Sequence, residues 1–199
     1  PNDRRVWMEA TQLVKSGYQV SAISIKGTDA TKSHEVLDGV RIYRYPAPPE
    51  TSGSFSFVFE FAYCWLCTFF LSLWIAFREG FDIIQACNPP DTFWLLAWFY
   101  KPFGKKYIFD HHDPCPDMYL ARFGNKGLAY HLLILLEKLT FWTADVVMTV
   151  NGTMAKRGAM GRGNLPEEKV FVLQNAPDPG LEVELPDNHE AKQGFRHVV

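Results

Sequence analysis

The sequence predicts an α/β protein with a doubly wound, mostly parallel sheet. Three observations carry that prediction. Short runs rich in β-branched and aromatic residues alternate with helical patterns along nearly the whole chain. Those runs exit into turns punctuated by Pro, Gly, Asn and Asp. At 199 residues, 47% hydrophobic and 15% aromatic, the chain can bury a sizeable core and is neither disordered nor collagen-like. A net charge of −2 offers no clustered basic excess, so no nucleic-acid partner is expected.

Asp3 caps an expected helix that runs to Lys15, with Val6, Trp7, Ala10, Leu13 and Val14 on one face and Gly17 as its stop. Residues 18–25 alternate as a strand, residues 28–39 read as a polar loop, and residues 39–45 form a second strand stopped by Pro46, Pro48 and Pro49. An α/β unit that opens on a helix is odd, so a first strand before Pro1 is expected.

Residues 55–77 are the most unusual segment, with Glu60 as the single charge. Ser56, Glu60, Cys64, Thr68 and Ser72 recur every four residues, a narrow polar stripe on an otherwise aromatic helix. Such a helix is either buried between sheet and neighbours, or lies with its aromatic face in a membrane interface. Its length is marginal for a span, and Glu60 argues against one.

Residues 81–87 are a third strand, followed by Asn88-Pro89-Pro90-Asp91 as a helix start. That helix runs to about Tyr100, and residues 105–110 make a fourth strand. A loop through Gly124 and Gly127 leads to a long helix over residues 128–142. Residues 145–150, a short helix over 152–160, and a strand over 169–173 complete the pattern. Residues 177–194 are acidic and aperiodic, reading as a linker, and residues 195–199 look like the start of a second domain. The first domain then occupies residues 1–176.

The chemistry is concentrated in Y-I-F-D-H-H-D-P-C-P-D, residues 107–117. Pro114 and Pro116 exclude a continued ladder or an immediate helix, placing the cluster on a strand-exit loop. Ligands of open α/β sheets bind there. A metal site from His111, His112 and Asp113, with Cys115 or Asp117 added, is disfavoured because neighbours on an extended segment point opposite ways. One imidazole facing a cleft suits a sugar or phosphate better. The bland alternative is a satisfied core histidine with capping aspartates. Asn88 and Asp91 occupy another strand-to-helix turn, where capping would also explain them. Asp3 and Arg4 open the first helix, whose N–H groups suit a phosphate. Cys64, Cys67, Cys87 and Cys115 fit reduced thiols in a cytoplasmic protein, which makes the Asn151-Gly152-Thr153 sequon a chance match. No signal peptide opens the chain.

D-x-H-D-x-x-P-D, formed by Asp110, His112, Asp113, Pro116 and Asp117, resembles the strand-exit motif in the N-terminal domain of family 4 glycosyltransferases of GT-B architecture. Residues 3–20, 39–46, 81–91, 144–151 and 168–178 are similar to that family's pattern in order and spacing. N-A-P-D at residues 175–178 departs from the usual N-G-V-D.

The resemblance implies two Rossmann-like domains across a cleft. The N-terminal one, which most of this chain resembles, takes the acceptor. The second domain takes a nucleotide-sugar donor, which is a substrate, with no cofactor or metal in the chemical step. Transfer would proceed with retention. By position His112 is the catalytic histidine, with Asp110, His111, Asp113, Asp3, Arg4, Asn88 and Asp91 as substrate-binding candidates. The expected role is transfer to a saccharide or lipid-linked acceptor in polysaccharide or glycolipid synthesis. The aromatic helix and Lys101, Lys105 and Lys106 suggest a peripheral position on the inner face of the cell membrane. The fragment alone is expected to be inactive. The alternatives are a metal-dependent hydrolase using His111, His112 and Asp113, and a non-catalytic membrane-associated interaction domain.

Overall fold

A computed structural model describes residues 3–28, 30–49 and 56–174, without the side chains of residues 56–58. The expected linker, the second-domain start and the N-A-P-D crossing lie outside the described residues.

Helix α1 (Arg4–Lys15) starts where Asp3 Oδ1 accepts from the backbone N–H of Arg5 at 3.0 Å and of Val6 at 3.4 Å. It ends at Gly17, whose φ of 91° suits a residue without a Cβ. Ala10 packs with Val40 and Ile42 in a small core, with Trp7 and Val14 alongside. Strand β1 (Ser21–Ile25) pairs in parallel with β3 (Val40–Tyr45).

The expected loop over residues 28–39 contains a strand, β2 (His34–Leu37), antiparallel to β3. Asp38 and Gly39 form the two-residue turn, with φ of 47° and 82°. An Asp-Gly pair between alternating runs is a strong hairpin signal, and the polar character of residues 28–33 obscures it.

Helix α2 (Ser56–Arg78) turns Cys64, Thr68 and Ser72 of its polar stripe toward the protein. Ser72 Oγ is 2.9 Å from the Tyr100 hydroxyl, and Cys64 and Thr68 lie beside Tyr45. Tyr63 donates to the Pro46 carbonyl at 3.2 Å. Just past the helix, Glu79 accepts from Ser21 Oγ at 2.7 Å, from Arg41 Nη1 at 2.9 Å and from the Tyr43 hydroxyl. The helix is half-covered rather than enclosed between sheet and neighbours: only 11% of the residues in its most apolar stretch are fully buried. Phe59, Leu66, Phe70, Trp74 and Phe77 point outward. This is the one helix among the described residues long and apolar enough to cross a membrane, by length and composition only.

Strands β4 (Ile83–Cys87), β5 (Lys106–His111), β6 (Val146–Thr149) and β7 (Val170–Val172) form an all-parallel sheet in that order. Helices α3 (Trp94–Tyr100) and α5 (Leu128–Thr143) flank it. The core gathers Ala97, Tyr107, Phe109, Phe141 and Val147. Trp98 Nε1 joins the two helices by donating to Thr143 Oγ1 at 3.0 Å. The fold is thus mixed α/β and Rossmann-like, as expected. The strands nevertheless divide into this sheet and the three-stranded β1–β3–β2, with β1 and β4 at sheet edges.

Helix α4 (Cys115–Phe123) corrects a second expectation. Only His112, Asp113 and Pro114 separate it from β5. Pro116 lies in its first turn, where an N–H would have no intrahelical partner anyway, so proline starts this helix rather than excluding it. Gly124, at φ 67°, ends it. The helical segment after β6 begins as α6 (Gly152–Met154), capped by the Asn151 side chain, and continues as a π-helical run over Ala155–Arg162.

Candidate active site at the strand exits

Parallel pairing brings the C-terminal ends of β4, β5 and β6 level: Cys87 lies opposite Asp110, and His111 opposite Thr149. On β5, alternation sends Tyr107, Phe109 and His111 to one face and Asp110 with His112 to the other.

On the second face, His112 Nε2 is 2.7 Å from Asp110 Oδ2, and both residues are buried. Cys87 Sγ approaches the same oxygen at 3.5 Å. Burial, and then the Asp110 carboxylate, push the Cys87 thiol well above its ordinary pKa, so it stays protonated. Glu9 of α1, held by Gln85 Nε2 at 2.7 Å, faces this group. Burial and the Asp110 charge raise its pKa.

Asn88 fixes the segment. Its Oδ1 accepts from the backbone N–H of His112 at 2.8 Å and of Asp113 at 3.2 Å, while its Nδ2 donates to the Asp113 carbonyl at 2.6 Å. Capping therefore does not explain Asn88. Nor does it explain Asp91, since α3 has no side-chain cap. Asp91 is 3% exposed, and neither carboxylate oxygen has a hydrogen-bond partner among the described residues. Burial lifts its pKa to about 6, with Cys115 and Asn88 offsetting that only in part.

His111 sits against Phe109 and Phe141 with no exposed surface, and neither ring nitrogen has a hydrogen-bond partner among the described residues. Burial lowers its pKa to about 4, and the Arg162 charge adds to this, so the ring is neutral. It lines a cavity of about 220 Å³ with Pro114, Asp117, Thr153, Arg157 and Arg162. Arg162 is bidentate to the buried Glu137, at 2.6 and 2.7 Å, and reaches Asp117 at 2.8 Å. His111, His112 and Asp113 do not converge on one point, so the hydrolase reading loses its ligand set. Asp3 and Arg4 are exposed at the start of α1; the Asp3 charge is felt at Cys87, which places that helix end near the site.

Residues 3–176 match the family described as glycosyl transferase 4-like domain. The chain belongs to that family. No curated protein matches the chain. As a glycosyl transferase 4-like domain it supports glycosyl transfer in general and implies sugar substrates. Sequence reasoning singled out the strand-exit histidines of this domain but missed Glu9, Glu137 and Arg162, which come from distant helical segments. Cys87 was legible as the last residue of a strand next to Asn88, the position where such sheets place their chemistry.

Proposed function

We propose that this domain is the acceptor-side wall of a retaining glycosyltransferase, with His112 as its catalytic histidine. The Asp110–His112 pair at the end of a parallel strand, tied down by Asn88, carries the reading. Asp110 orients the imidazole through Nε2 and leaves Nδ1 for a substrate hydroxyl or for charge developing on the transferred sugar. Asp113, Asn88 and the unpartnered Asp91 border the same turn and are the acceptor-binding candidates, with Asp3 and Arg4 at the nearby helix start. His111 serves the acceptor only from the cavity side of β5.

The donor is a nucleotide sugar, bound by a second domain beyond the linker at residues 177–194 that begins near residues 195–199. Residues 1–176 are the acceptor domain. Sugar transfer requires both domains, without a metal in the chemical step.

The acceptor is a saccharide carried on lipid, and the domain works peripherally at the inner face of the cell membrane. The outward aromatic face of α2 supports this. It continues through a Phe69–Phe99 contact to exposed Phe99 and Phe103, and a Trp94–Trp98–Trp142 chain extends it to α5. The expected lysine contribution is smaller than the sequence suggests. Lys101 and Lys106 pair with Asp145, and Lys105 with Asp82, while Arg78 lies over Trp74 on this face.

The test is His112→Ala in the full-length enzyme, with transfer from nucleotide sugar to a lipid-linked acceptor measured directly. A fall in kcat of about 10²-fold or more is expected. Full activity in the folded variant would refute the assignment.

A further inference from the structure

Cys87, Asp110 and His112 each offer one ligand atom, and the three atoms lie within 4.8 Å of one another. We propose that they form a binding site for a soft divalent cation, Zn²⁺ above all, and that loading it switches the domain off.

The donor set decides the ion. One sulfur, one imidazole nitrogen and one carboxylate oxygen suit zinc, whereas Mg²⁺ and Ca²⁺ favour oxygen-only shells. Two of the three ligand pairs are close to the spacing a bound ion sets. Bonds of about 2.3 Å to sulfur and 2.0 Å to oxygen at a tetrahedral angle set those ligands about 3.5 Å apart. Cys87 Sγ and Asp110 Oδ2 are 3.5 Å apart. The Asp110–His112 pair, at 2.7 Å, must open by roughly 0.6 Å to reach a tetrahedral spacing. A small side-chain rotation supplies that.

On binding, the Cys87 thiol gives its proton to water and ligates as thiolate. The His112 ring changes tautomer, its hydrogen moving to Nδ1 as Nε2 takes the metal. No electron changes hands, and a water completes the fourth position.

Metal binding stands on these three residues alone; its consequence rests on the role proposed for His112. A zinc ion on Nε2 replaces the hydrogen bond from that nitrogen to Asp110 and changes which nitrogen carries the hydrogen, so the loaded domain is held in an unproductive state. Sequence reasoning missed the site because Cys87 is 23 residues from Asp110 and meets it only through the β4–β5 register.

Cobalt titration of the purified metal-free chain tests the site. One Co²⁺ per chain is expected, with tetrahedral d–d bands and a thiolate-to-cobalt charge-transfer band. Zn²⁺ should displace it and Mg²⁺ should not. Cys87→Ser should abolish the charge-transfer band, Cys115→Ser should keep it, and His112→Gln should weaken binding at least tenfold. No saturable cobalt signal in the parent chain, or a charge-transfer band that survives Cys87→Ser, overturns the site. In the full-length enzyme, zinc at stoichiometric loading should reduce transfer at least tenfold, reversibly with chelator. Stoichiometric binding without inhibition would leave the site standing and sink the switch.

Discussion

One amide side chain, Asn88, satisfies two backbone N–H groups and one carbonyl of the His112–Asp113 segment. Asn88→Ala strands those buried groups and should cost about 1–3 kcal/mol of stability. Denaturant unfolding reads the cost, and transferase activity of the full-length enzyme should fall with it. Asp91 is the opposite case, because its buried carboxylate is charged at neutral pH and Cys115 and Asn88 offset that burial only in part. Its folded pKa is raised from 3.8 to about 6, so the folded state holds the proton more tightly and stability declines as pH rises through that window. Asp91→Asn should therefore stabilise the chain at pH 7.5 by about 1–3 kcal/mol, with the gain vanishing below pH ~4. Lower activity in the same variant would mark Asp91 as kept for function. His111 has the reverse sign. Its folded pKa is depressed from 6.5 to about 4, so its contribution is intact above 6.5 and is lost as pH falls toward 4. His111→Met should flatten that acid limb in a series of thermal melts. The types of these residues were visible in the sequence, but their partners were not, since no spacing rule links Asn88 to a backbone N–H 24 positions away.

Elements with one-face periodicity were legible, and those hidden by local chemistry were not. Helix α1 shows its cap, stripe and stop at the expected residues. Strand β2 was hidden because Lys32-Ser33-His34-Glu35 reads as loop, although Asp38-Gly39 was the cue. Helix α4 was hidden because two prolines suggest a break, and only their places at its start, Pro114 as N-cap and Pro116 in the first turn, reverse that meaning. The π-helical run over Ala155–Arg162 has no sequence signature of its own; it positions Gly158 beside His111 and Arg162 against Glu137. Its end is tightly packed. A Cβ on Gly163 would lie 2.5 Å from the Ala159 carbonyl oxygen and 2.7 Å from the Phe141 ring. Gly163→Ala should cost about 1–3 kcal/mol, measured as a lowered Tm.

At the scale of the molecule, the alternation of strands and helices was enough to give a parallel α/β architecture. The division into two sheets was not, because edge status depends on which strands pair and not on their composition. The aromatic surplus of α2 was equally plain, yet only the structure shows Cys64, Thr68 and Ser72 turned inward and Phe59, Phe61, Phe70, Trp74 and Phe77 turned out. Because the neighbouring lysines are paired, vesicle binding should depend on apolar contact more than on charge. Sedimentation with phospholipid vesicles should persist at high salt and be lost in a Phe70→Ser, Trp74→Ser, Phe77→Ser triple variant. Binding by that variant equal to the parent would remove α2 from the contact.

The tie made by Asn88 has a chemical lifetime as well as a strength. Asparagine ages to aspartate when the next backbone nitrogen attacks its side chain to form a cyclic imide. Asn88 is followed by Pro89, whose nitrogen carries no hydrogen, so that route is closed where the site depends on an intact amide. Asn151 has no such protection, being followed by Gly152 while it caps the helical segment after β6. Aged protein should accumulate its charge variants at the helix cap, while the segment that carries His112 keeps its amide.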